Sequence, residues 1–207
     1  MSDSPTSRST RRKPAEARRQ DIIHAAMKIL QTEGVEKLTT RSLSKAVGIA
    51  QPTLFLHFGN KSHVLVALID HIQESLQAGL REQNLADYTP LERLRRVIHF
   101  HLQFIQHRPG IPRLLFSEEI QNGSQEVRER MQLLVGAFLE YLTGLIREGQ
   151  EMGELRGDLD AQECACLLIA SIQGLAFRWV LSEFRFALEE QADVVTATFI
   201  DGWRSRS

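Results

Sequence analysis

Apolar residues recur at the spacing of an α-helix along almost the whole of this chain, and nowhere do they alternate as a half-buried strand demands. Ile22, Ile23, Ala26, Ile29 and Leu30 form one stripe, and Val64, Leu65, Leu68, Ile69, Ile72 and Leu76 a second. Leu94, Val97, Ile98, His101, Leu102 and Ile105 form a third. Stripes of this kind, with no strand to cover them, must be buried helix against helix, so the expected fold is all-α. Local signals divide the chain into about nine helices. Pro14 suits a first helical position, Gly34 and Gly48 are stops, and Thr39 and Asn60 are N-caps. Thr89-Pro90-Leu91-Glu92 joins a capping box to a proline that opens the next helix. His107 to Pro112 breaks it, and a short helix around Arg113 to Ile120 follows. Ser124 opens a long helix ending near Gly153, Asp160 opens another to about Glu183, and the last covers roughly Glu189 to Trp203.

Charge is distributed unevenly over this frame. Residues 1–61 hold 11 Lys and Arg against 5 Asp and Glu, a net of +6, whereas residues 62–207 hold 14 against 21, a net of −7. A basic head on an acidic body suits a head that meets a polyanion. Residues 1–13, rich in Ser, Thr and Arg, read as a disordered basic tail. Cys164 and Cys166 give no disulfide framework, and at i and i+2 of a helix they point apart. The N-terminus has no apolar signal segment, and the most apolar stretch, Cys164 to Ile172, is far shorter than the ~20 residues of a membrane span. A cytoplasmic protein with no membrane partner is expected.

The informative segment is Thr39 to Lys61. Two short helices are joined by Gly48-Ile49-Ala50, a turn of helix-turn-helix length, with a longer helix before them as a third wall. Ile29, Leu30, Leu43, Val47, Ile49, Leu54 and Phe58 supply a small core. Such a unit places the start of its third helix in a major groove. Arg41 can offer its fork to guanine, Gln51 can pair with adenine, and Pro52 and the Thr53 methyl can touch a thymine methyl. Thr40, Thr53, His57 and Lys61 can reach phosphates, and the helix beginning at Lys61 points its amides at an anion.

Leu38-Thr39-Thr40-Arg41-Ser42-Leu43, Gly48-Ile49, Gln51 to Phe58 and Asn60-Lys61 together resemble the DNA-binding domain of the tetracycline-repressor (TetR) family. The resemblance is specific over about Ile22 to Leu68 and elsewhere is one of helical layout. It implies that Thr40, Arg41, Gln51, Pro52 and Thr53 contact bases and phosphates, and that Phe55, His57 and Lys61 hold the backbone. Beyond the tail 1–13 it implies two units, a DNA-binding domain over 14–66 and an effector-binding and dimerisation domain over 67–207. Two positions depart from the family pattern. Phe55 replaces the usual Tyr and loses a hydroxyl bond to phosphate. Ala50 stands where a capping Ser is common, at a cost of about 1 kcal/mol.

In the second half, Ala170 and Gly174 allow close helix approach, with Leu167, Ser171, Leu175 and Val180 near that stripe and Val194, Thr198 and Trp203 on the last helix. Two such helices from each subunit would form a four-helix interface, or the stripe packs inside one subunit. For an effector pocket the candidates are the aromatics Phe100, Phe104, Phe116, Phe138, Tyr141 and Phe177, with His101, Gln173 and Arg178 to orient a ligand. The bland alternative is that the aromatics are core and His101 a hydrogen-bonded core residue. No metal site, nucleophile elbow or phosphate loop is present in the sequence, and His99 and His101 do not share a helix face. The expectation is a homodimeric repressor on a palindromic double-stranded operator, released by an unknown small-molecule effector, with no cofactor. An activator, a helical small-molecule carrier without DNA binding, and a helical enzyme are the alternatives.

Overall fold

The computed structural model describes residues 14–205, so the basic tail lies outside the described residues. Among these there are ten α-helices and no strand. A small N-terminal bundle comprises α1 (Ala15–Thr32), α2 (Thr40–Val47) and α3 (Gln51–His57). Its centre is filled by Ile22, Ala26, Leu30, Leu38, Leu43, Leu54 and Phe58, all buried. The Thr39 hydroxyl accepts from the Ser42 amide and Ser42 Oγ accepts from the Thr39 amide, closing a capping box at the start of α2. Gly48, left-handed at φ 71°, ends that helix and turns the chain into α3. Ala50 gives α3 no side-chain cap, and Pro14 is the N-cap of α1 rather than its first helical residue.

The α4 helix (Lys61–Glu82), capped by Asn60, runs from this bundle into a larger one. There it packs against α5 (Pro90–Gln106) and α8 (Gln125–Glu151), and α8 packs in turn against α9 (Ala161–Leu181). The last helix, α10 (Ala192–Val195), continues as one π-turn over Thr196–Ile200. The short helix expected around Arg113 to Ile120 is two: α6 (Gly110–Leu115) and α7 (Glu118–Gln121). Ser117 Oγ donates to the Leu114 carbonyl, satisfying an acceptor at the end of α6 and favouring the break there. The α9 helix exceeds the apolar run read from the sequence. It is long and apolar enough to cross a membrane by length and composition, with a mean hydropathy of 1.8, because Gly174 to Ala176 and Trp179 to Leu181 extend the run past Gln173. Its Leu168, Ile169, Ile172, Ala176 and Trp179 face the core.

The two bundles are joined by more than α4. Arg113 of α6 donates to the Gln31 carbonyl at the end of α1 at 2.7 Å. The Gly110 backbone lies so close to α1 that a Cβ there would meet Leu30 Cγ at 2.8 Å and the Gln31 nitrogen at 3.1 Å. Gly110→Ala should therefore cost about 1–3 kcal/mol through overpacking. The check is a fall in the urea midpoint against wild type; an unchanged midpoint would mean that α6 and α1 are not tightly seated.

Candidate DNA-reading surface and ligand cavity

On α2, Leu43 and Ser44 face inward, leaving Arg41 and Lys45 exposed. On α3, Leu54 is buried and Gln51, Pro52 and Phe55 are exposed, with Thr53 and His57 half-buried. Thr40 and Lys61 are half-buried at the starts of α2 and α4. Among the described residues Arg41 and Gln51 have no side-chain partner, so the guanidinium fork and the amide remain available to base edges. The sequence reading missed two residues here. Leu56, 82% exposed, extends the outward face of α3 beside Phe55; its position two residues from both Leu54 and Phe58 was the available signal. Arg19 of α1 donates to the His57 carbonyl at 2.9 Å and lies over the Phe58 ring, which ties the end of α3 to α1.

Lys61 is not an idle cation. Its Nζ donates to Glu119 Oε1 of α7 at 2.8 Å. Partial burial pushes the Glu119 carboxyl up, but the hydrogen bond and charge of Lys61, together with hydrogen bonds from the Glu119 amide and Ser117, outweigh this and leave it below its ordinary value. Farther along α4, Asp70 pairs with Arg130 of α8. The body thus holds the ammonium at the start of α4.

A cavity of about 80 Å³ lies where α4, α5, α6, α8 and α9 converge. His101, Phe104, Phe138 and Gln173 line it, four of the nine residues expected from sequence. The rest of the wall is aliphatic, including Ile72, Leu76, Ile111, Pro112, Leu115, Met131, Leu134 and Ile172, which no aromatic search would find. Tyr141 lines an adjoining outer cavity of about 370 Å³, which shares Leu76, Leu134 and Phe138 with the inner one. The remaining four lie elsewhere. Phe100 covers Gly79 and flanks a surface groove. Phe116 meets Phe177 edge-on, and Arg178 is exposed over Phe186. The reason is helical phase: Ile169, Ile172, Gln173 and Ala176 turn one face of α9 to the cavity, which sends Phe177 and Arg178 outward.

That outward face is apolar. Leu167, Ala170, Gly174, Phe177 and Leu181 are exposed along α9, and Val194 and Thr198 are exposed on the final helix. Leu175 instead packs partly against the core, and Ser171 turns its hydroxyl back to the Leu167 carbonyl.

His101 differs from a satisfied core histidine. It stacks on Phe138 at 4.3 Å between centroids, its Nδ1 is buried without a hydrogen-bond partner among the described residues, and burial pushes its pKa down to about 4. The Gln173 side-chain amide also lacks a partner among them.

Residues 22–68 match the family described as "Bacterial regulatory proteins, tetR family", and residues 64–202 match "YsiA-like protein, C-terminal region". Nucleoid occlusion factor SlmA of Vibrio atlanticus (strain LGP32) is 28% identical over 181 residues, 87% of this chain and 92% of that one. The fold is shared with a putative transcriptional regulator from Saccharomonospora viridis in complex with choline, at TM-score 0.80 and 20% identity over 93% of this chain and all of that one. It is also shared with the transcriptional regulator FadR of Bacillus subtilis in complex with stearoyl-CoA, at TM-score 0.77 and 22% identity over 88% and 98%.

The state of His101 gives a pH dependence of fixed sign. The unfolded chain takes up a proton near pH 6.5, but the folded chain only near pH 4. Stability from this residue is therefore fully present above pH 6.5 and is lost as pH falls through that window. Between pH 7 and pH 5 wild type should lose about 2 kcal/mol more than His101→Phe in urea unfolding. Equal losses would show that His101 is not held neutral.

Proposed function

The chain belongs to the TetR family of bacterial regulatory proteins, and on that premise we propose how this DNA-binding transcription regulator works: as a homodimer on a palindromic operator, released by a small molecule bound among α4, α5, α6, α8 and α9. The observation that carries the reading is the pairing of an outward, unpartnered Arg41 and Gln51 on the helix-turn-helix with an apolar cavity walled by the helix that abuts α1. The DNA-binding unit is 14–66 and the effector and dimerisation unit 67–207. Arg41, Gln51, Pro52 and Thr53 read bases, and Thr40, Phe55, His57 and Lys61 meet the backbone. Two structural neighbours are complexes with choline and with stearoyl-CoA, which supports a ligand-responsive body. The protein works in the cytoplasm by binding rather than turnover.

Dimerisation uses the exposed α9 stripe and Val194 and Thr198 of the final helix. An apolar face of this extent calls for a cover, and two antiparallel copies would bury it as a four-helix interface. Phe177 and Leu181 belong to this interface rather than to the effector site. The two recognition helices must then match major grooves about 34 Å apart. Ile111, Pro112 and Leu115 face the cavity from α6, whose Gly110 and Arg113 seat it on α1. A ligand that displaces α6 shifts the head, and Glu119 takes Lys61 from the phosphate. The ligand lowers operator affinity by its differential affinity for the two states.

Selection of bound sequences from a random duplex pool, at two salt concentrations, tests this. An enriched palindrome is expected, and no enrichment would favour a carrier without sequence-specific DNA binding. On the enriched duplex, Arg41→Ala or Gln51→Ala should each cost about 1–3 kcal/mol and relax base preference at one position. Unchanged selectivity would remove them as base readers.

A further inference from the structure

We propose that the inner cavity selects an uncharged, slender aliphatic molecule bearing one hydrogen-bonding oxygen, a medium-chain alcohol being the simplest, held at that oxygen by His101 and Gln173. This rests on the ligand-responsive reading above and adds the chemical class of the ligand. Among the cavity's lining residues there is no Asp, Glu, Lys or Arg. An ion placed there would lose its hydration with no countercharge in return. His101 supplies none, because burial keeps its imidazole neutral. The inner volume, about 80 Å³, is smaller than the ~150 Å³ cavity that admits a benzene ring, so it excludes ring systems and takes only the oxygen-bearing end of a slender chain, whose remainder extends into the adjoining outer cavity of about 370 Å³.

The polar groups narrow the class further. His101 and Gln173 enter the same aliphatic chamber from α5 and α9, and the buried Nδ1 and the amide have no partners among the described residues. Buried polar groups are ordinarily paired, and leaving one unpaired costs the fold its lost hydration. A plain hydrocarbon would leave both unpaired, whereas a hydroxyl can donate to one and accept from the other. A carboxylate-headed chain would place its head in the outer cavity near Arg81 and Tyr141, and its tail would again leave His101 and Gln173 unsatisfied. A site built around a hydroxyl discriminates strongly against analogues that lack it.

The test is calorimetric titration of the full chain at neutral pH with 1-octanol, octanoate and octylammonium. Octanol should bind at least about tenfold more tightly than either ion, and His101→Phe and Gln173→Leu should each weaken octanol by about tenfold. His101→Phe keeps a ring to stack on Phe138, and Gln173→Leu guards against a folding defect in the first variant. Octanoate or octylammonium binding as tightly as octanol, octanol affinity unchanged in both variants, or no octanol binding up to its solubility would overturn the proposal. Operator binding is measured on the same preparation. If it holds while octanol fails, the ligand class is wrong and the regulator stands. If operator binding itself is absent, the regulator reading fails, and the calorimetry still decides the ligand class.

Discussion

The packing of α4 against α1 at one end and against α5 and α8 at the other governs what the two parts of this molecule can do to each other. Its first residue, Lys61, belongs to the DNA-reading end, and its Ile72 and Leu76 belong to the cavity wall. A rigid helix of 22 residues is a poor absorber of displacement. On the proposed mechanism, movement at the cavity is carried along it toward the helix-turn-helix. The second connection, through α6, runs in parallel: Gly110 and Arg113 abut α1 while Ile111, Pro112 and Leu115 face the cavity. Each link is short, and no long chain of contacts is required.

The chemistry of the two ends is opposed. The head leaves Arg41 and Gln51 outward and without side-chain partners among the described residues, with an exposed Leu56 next to Phe55. The body encloses an aliphatic chamber whose two polar side chains lack partners among the described residues. Salt will weaken the first strongly and the second hardly at all. Between them lies the Lys61–Glu119 pair, half-exposed and therefore worth little as a source of stability. Its interest is that Glu119 draws the Lys61 ammonium toward the body, so that on the proposed mechanism a phosphate at the start of α4 would have to share or displace that contact.

The helices were legible in the sequence wherever a cap and a stop marked them, as at Thr39 and Gly48 or Thr89 and Glu92. The break at Phe116–Ser117 was not, because it depends on a serine hydroxyl returning to a carbonyl. The outward face of α2 and α3 was legible because its residues lie close together along the chain. The cavity was only partly so, since five separate helices build it and its walls are ordinary aliphatics. Phe177 was assigned to the pocket for its aromatic ring, whereas its helical phase places it on the outer face of α9. Arg19 and Glu119 carried no local pattern at all, as their partners lie 38 and 58 residues away.

The coupling of body to head is tested most directly by the operator affinity of Glu119→Gln, measured by fluorescence anisotropy on the enriched duplex at about 0.1 M salt, where exposed charges are only partly screened. If the operator and Glu119 compete for Lys61, this substitution should tighten binding about two- to fivefold, the range set by a partly exposed pair. In a Lys61→Ala background it should then have no effect. Unchanged or weaker binding in Glu119→Gln, or the same gain without Lys61, would contradict the account.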